Sequence, residues 1–204
     1  MKFRSQSPLL TCVTVALAVA LCAAPAQAHL NSTGMGPIYD GLLHFLMSPE
    51  DLVPALALAL LAGLRGADYG RRAAFTLPAT WLAGSLFGLT AAATAESAVL
   101  SSLWFLLLGA LVIADAKLSL SAMTALAALL GFVHGYLNGT GMGQSGFAVV
   151  AVLGLTSGVF VFVVLAAAFV VQLPAHWARI AVRVAGSWIA ASGLLMLGWS
   201  LRGS

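Results

Sequence analysis

Charge is scarce in this chain. Of its 204 residues, nine are Lys or Arg and six are Asp or Glu, which makes 7% charged. Ordinary soluble domains carry about 25%. A chain this depleted cannot dress a normal water-facing surface. Nine scattered basic residues also exclude a nucleic-acid footprint. No G-x-x-x-x-G-K-[ST] phosphate loop is present, so nothing in the sequence drives a process with ATP. Cysteine is confined to Cys12 and Cys22. Neither follows a small residue as a lipoprotein cysteine should, because Thr11 and Leu21 precede them.

What the chain has instead is apolar length. Hydrophobic residues make up 61%, and the mean hydropathy is +1.03. Long apolar runs recur, which predicts an all-α polytopic membrane protein. Residues 1–28 read as a signal peptide. Lys2 and Arg4 form the basic start, Leu9 to Ala24 the apolar centre, and "AQA" ending at Ala28 the cleavage site. The competing reading is an uncleaved first membrane helix, and the short segment with its clean site favours cleavage. The mature chain then has no cysteine, which excludes disulfides and thiolate metal sites.

Residues 29–204 form one transmembrane domain of six predicted helices. They cover about Ser48–Leu64, Arg72–Thr94, Glu96–Ala114, Leu118–Leu137, Ser145–Leu173 and His176–Leu201. Ser48, Pro49 and Asp51 make an S-x-x-D start for the first, and Pro78 is placed to kink the second. With His29 outside, the loops after the first, third and fifth helices are cytoplasmic. Those loops and helix ends hold Arg65, Arg71, Arg72, Lys117, Arg179 and Arg183, against Arg202 alone on the outer side. This asymmetry predicts an inner (cytoplasmic) membrane protein with its mature N-terminus outside.

On that map the rare polar side chains gather at the outer face. The stretch from Pro25 to Asp51 contains two of the four histidines, His29 and His44, and three of the six acids, Asp40, Glu50 and Asp51. Glu96 opens the third helix from the same side. His134 lies near the outer end of the fourth, followed by Asn138 and a predicted loop "NGTGMGQSG". Imidazole and carboxylate without thiolate suit a divalent cation such as Ni, Co, Zn or Cu. Histidine binds metal as the neutral ring. A new N-terminus at His29 would add an α-amine beside its ring nitrogen. Asp40 and His44 are four apart and share a face if "PIYDGLLHFLM" is helical, and His134 and Asn138 repeat that spacing.

Plainer roles compete for the same residues. Glu50, Asp51 and Glu96 sit where acids favour a helix N-terminus. His134 could serve a helix-to-helix hydrogen bond. Met35, Met47 and Met142 read as packing, and His176 beside Trp177 as an interfacial anchor. "GQSG" (Gly143 to Gly146) matches the short motif of intramembrane serine proteases. Such an enzyme needs a histidine base beside Ser145, and the sixth helix has only His176, at the opposite face. The chain is therefore read as a non-enzyme.

Several stretches together resemble the HupE/UreJ family of membrane proteins. They are "GLLHFLMSPEDLVPALALALLAGL", "ESAVLSSLWFLLLGALVIAD", "ALLGFVHGYLNGTGM" and "RVAGSWIAASGLLMLG". The resemblance covers essentially the whole chain. It implies a nickel or cobalt permease, or an accessory protein in hydrogenase or urease maturation. The partners implied are a divalent metal ion, the lipid bilayer and metalloenzyme maturation machinery. No tightly bound cofactor is expected, and Ni2+ or Co2+ is favoured over Zn2+ or Cu. The family pattern has a His, then six residues on an Asp directly followed by a His. Here His44 matches the first, while Glu50 and Asp51 replace the other two. The second motif has His-Gly, a second His four residues after the first, and a Glu three further on. His134 and Gly135 match, while Asn138 and Gly141 stand in the other places. The resemblance carries over to His44, Glu50, His134 and Glu96 as site candidates. The two missing imidazoles strengthen the case for a non-transporting accessory role.

Overall fold

The computed structural model describes residues 33–92, 97–143 and 146–202. The signal-peptide reading, His29, Glu96 and Ser145 lie outside them. The described residues form seven helices and no strand. These are α1 (Pro37–Met47), α2 (Pro49–Arg65), α3 (Ala67–Gly88), α4 (Ala98–Ile113), α5 (Leu120–Met142), α6 (Ala148–Gln172) and α7 (Ala175–Ser200).

Three expectations change. "PIYDGLLHFLM" is a helix of its own, ended at Ser48 and bent 72° from α2. Pro49 forces that break, because proline disfavours a helical residue before it yet suits the first turn of the next helix. The second predicted helix starts earlier, at Ala67, after a turn at Gly66 with φ 107. Only glycine holds that backbone cheaply. The predicted loop after Leu137 is instead helical to Met142. Its glycines are kept in the helix by packing, as described below.

α2 is the hub. It contacts each of the other six described helices. Its Ala55, Ala57, Leu58, Ala59, Leu61 and Ala62 are fully buried. Small residues dominate here because every side of this helix meets another helix. Around it α3 pairs with α5, α4 with α7, and α1 with α6. Glycine sets these pairings. A Cβ on Gly135 would lie 2.1 Å from the Trp81 carbonyl oxygen, and one on Gly84 2.3 Å from that of Phe132. Gly131, Gly135 and Gly139 on α5 thus lie against the backbone of Leu77, Trp81 and Ser85 on α3, and Gly84 and Gly88 on α3 against that of Phe132 and Tyr136, the close approach that small-xxx-small patterns permit. The same logic joins α1 to α6 through Gly41 and Gly154.

Among the described residues three helices are long and apolar enough to cross a membrane: α5, α6 and residues Arg179–Ser200 of α7. The bent pair α1–α2 makes a fourth if the two act as one broken span. α4 is apolar but has 16 residues, about 24 Å of helix against a hydrocarbon core of about 30 Å. α3 has 22 residues but carries Asp68, Arg71 and Arg72 in its first two turns. Large apolar side chains stand exposed around the bundle, among them Phe75, Phe87, Leu165, Phe169, Trp188 and Leu195. A soluble domain does not leave such surface open to water, and the bundle is that of a membrane protein.

Candidate functional site

The polar centre lies where α1 ends, α2 begins and α5 passes. His44 sits in the last turn of α1 and Asp51 in the first turn of α2. His134 and Asn138 stand one turn apart on α5. The bend at Ser48 points His44 and Asp51 at the same stretch of α5. Asp51 is 3% exposed, His134 1% and Asn138 9%, so this polar chemistry is closed off inside the bundle.

The four side chains form one chain of hydrogen bonds. Asn138 Nδ2 donates to both Asp51 oxygens, at 3.1 and 2.9 Å, and to the carbonyl of His134 at 2.9 Å. An amide nitrogen has two hydrogens, so one is shared by the carboxylate and the other closes back on the helix. That fixes Asn138 Oδ1 as the acceptor facing His44 Nε2 at 2.8 Å. His134 Nδ1 lies 3.0 Å from Asp51 Oδ1. Asp51 accepts from both neighbours, so His134 donates from Nδ1 and His44 from Nε2. The network thereby assigns the ring nitrogens that donate, and leaves Nε2 of His134 outside it.

His134 Nε2 is buried and has no hydrogen-bond partner. Its ring lies between Trp81 of α3, with centroids 5.4 Å apart, and Trp104 of α4, at 5.9 Å. Phe45 meets Trp81 edge-on at 6.0 Å. The indole N–H groups of Trp81 and Trp104 and the hydroxyl of Ser85 are also buried without partners. Buried polar groups are nearly always satisfied. Four orphans on the helices enclosing one imidazole mark this spot as unusual.

The expected ligand set divides. His44, Asp51, His134 and Asn138 come together. Asp40 shares a helix with His44 as expected, but its carboxylate is taken by Thr33, from the backbone N–H at 2.6 Å and the hydroxyl at 2.7 Å. Glu50 is half-buried and stands outside the network. Asp51 does not act as a cap. Ser48 makes no side-chain capping bond, and its carbonyl accepts from the backbone N–H groups of Asp51 and Leu52. The carboxylate turns inward because His134 and Asn138 offer it donors there. Among the described residues no three of His, Cys, Asp and Glu gather as a metal-holding group. The reason is the Asn138 amide, which stands between His44 and Asp51. Tyr136, two residues from His134 and so on the far side of α5, packs on Phe87 instead. Sequence reasoning missed Trp81 and Trp104. Their signal was position, since both sit within apolar helices and away from the helix ends where membrane tryptophans collect.

The basic residues gather at the other end of the bundle. Arg65, at the end of α2, pairs with Asp115 after α4, and Arg179 of α7 approaches the same carboxylate at 3.7 Å. Arg183 Nε donates to the Ile113 carbonyl at 2.8 Å. Asp51 and Arg65 are fourteen positions apart on α2, about 21 Å. His176 is exposed against Trp177 at this basic end, just beyond the end of α6.

The family model described as HupE / UreJ protein matches residues 17–196. The chain belongs to that family. No curated protein and no solved structure matches it. Asp51 and Asn138, the two positions at which the resemblance leads one to expect imidazoles, touch each other at 2.9 Å. There a carboxylate and an amide satisfy each other.

Proposed function

We propose that this HupE/UreJ protein handles a divalent transition-metal ion of the nickel or cobalt type, capturing it at the His44–Asp51–His134–Asn138 centre and passing it across the membrane. One observation carries the reading. His134 Nδ1 is held by the Asp51 carboxylate while Nε2 is buried and unpartnered. A carboxylate behind an imidazole is the usual way proteins orient a metal-ligating histidine and raise its basicity. His134 Nε2 would face the ion, with Asp51 orienting its ring and His44 tied to the same network through Asn138. His29, Glu50 and Glu96 are proposed as further ligands on the approach.

In this reading α2 to α7 are the six spans, the signal peptide is removed, and the basic end faces the cytoplasm of an inner-membrane protein. The metal centre then faces outward. A membrane potential negative inside favours entry of a dication by about 4.6 kcal/mol per 100 mV. The test is flux into liposomes holding the purified protein, with Ni2+, Co2+, Zn2+ and Cu2+ offered separately. Uptake above empty vesicles that His134→Ala abolishes, at unchanged protein level, is the expected result. Equal flux with and without protein removes the transport reading.

A second reading is an accessory protein that holds metal without moving it, in the service of hydrogenase or urease maturation. The closed wall of Trp81, Trp104 and Phe45 around His134 favours it. Calorimetric heat of metal binding without flux selects this reading.

A further inference from the structure

The basic end carries a second feature that the metal centre does not use. Two cavities open on either side of Phe75, whose ring is 66% exposed. One, of about 400 Å³, lies between α3 and α6 and is lined by Gly70, Ala74, Val164, Ala168 and Val171 together with Arg71 and Phe75. The other, of about 500 Å³, lies toward the start of α5 and is lined by Asp68, Arg72, Thr76 and Leu120, again with Arg71 and Phe75. The first continues along α3 and α6 into a cavity of about 350 Å³ lined by Pro78, Leu82, Leu153 and Val161, with Phe160 common to both. From Arg71 to Leu82 this furrow runs about 17 Å along the helix, close to half of a hydrocarbon core of about 30 Å.

We propose that this furrow binds one anionic phospholipid, with its phosphate over Arg71 and Arg72 and an acyl chain laid along the apolar groove between α3 and α6. The inference rests on the chain being a membrane protein and is independent of the metal reading. Charge and shape agree on the occupant. Arg72 makes no ion pair or hydrogen bond among the described residues. Arg71 pairs only with Asp68, in an exposed contact where both side chains are at least 70% accessible. Such a pair is held weakly and yields readily to a phosphate. Two arginines at the head of one apolar groove, beside a more polar cavity that includes Asp68 and Thr76, fit a headgroup lying above an acyl chain. A neutral lipid would fill the same cavities but gain nothing from the arginines. Basic pockets between membrane helices are recurrent sites for anionic headgroups.

The test is native mass spectrometry of the full chain released from detergent with dioleoyl-phosphatidylglycerol or dioleoyl-phosphatidylcholine. The phosphatidylglycerol adduct is expected to be retained at least about fivefold more than the phosphatidylcholine adduct. Arg71→Gln with Arg72→Gln should erase that preference. Ala168→Trp, at an exposed position facing the first cavity, should reduce retention of both lipids. Arg202→Gln at the other end should change nothing, and millimolar inorganic phosphate should not displace the lipid. Circular dichroism of each variant confirms that the helices are intact. Equal retention of the two lipids by the wild-type protein overturns the proposal. So does phosphatidylglycerol retention unaffected by the double variant, or its displacement by phosphate alone.

Discussion

Replacing Asn138 by Leu should destabilise the bundle through Asp51 more than through its own lost contacts. The substitution removes the amide hydrogen shared by the two Asp51 oxygens and the acceptor for His44. It leaves a carboxylate that is 3% exposed with His134 as its remaining side-chain partner. Hydrogen bonds to charged groups contribute about 1.5–3 kcal/mol, whereas interhelical hydrogen bonds in membranes average about 0.6 and reach about 1.7. The amide offers one shared hydrogen to the carboxylate, so a coupling near the upper membrane value is expected, about 1.5 kcal/mol or tenfold in the unfolding equilibrium. The measurement is a double-mutant cycle with Asp51→Leu, read from unfolding in mixed detergent and SDS micelles. Trp81 and Trp104 flank the network and supply the fluorescence signal. The double variant should be more stable than the sum of the singles implies, because removing both partners leaves no orphaned charge. A coupling below about 0.5 kcal/mol, within ordinary additivity, would refute the network as an energetic unit.

The glycine contacts give two opposite expectations in the same assay. Gly135→Ala places a Cβ 2.1 Å from the Trp81 carbonyl and should cost about 1–3 kcal/mol or more. Gly141→Ala meets nothing within 4 Å on the same helix and should gain about 0.8–1 kcal/mol. At the basic end, Asp115→Ala strips the partner from Arg65, whose side chain is 11% exposed, and should cost about 3 kcal/mol. Asp68→Ala breaks an exposed pair and should cost about 0–0.5 kcal/mol. In calorimetry with Ni2+, Asp40→Ala should bind as the wild type does, because Thr33 holds that carboxylate away from the proposed metal centre. Asp51→Ala should lose the heat, and equal loss from both would show that the centre has been drawn too small.

Much of the fold is legible in composition. The apolar runs that become α4, α5, α6 and α7 appear in the sequence within a few residues of their ends, since a helix buried among helices or lipid needs only length and apolarity. Boundaries failed where tertiary packing overrode local preference. The glycines after Leu137 read as a loop, yet close contact with α3 keeps Gly139 helical. α1 was conditional in the sequence because eleven residues are too few to declare a helix without a partner. Its partner, α6, lies more than a hundred positions away.

The sequence by itself determined that this is a helical membrane protein of the HupE/UreJ family, with basic residues at one end and its histidines and acids largely at the other. Residue types and their order suffice for that, because lipid selects by hydropathy. Only the tertiary structure decided which polar residues meet. Asp40 and Asp51 look alike in the chain, but the first is satisfied locally by Thr33 and the second reaches 83 positions to His134. Asn138 and Asp51 each read alone as a lost imidazole. Folded, they are one hydrogen-bonded pair, because the bend at Ser48 and the glycine contacts of α5 bring three helices to the same point.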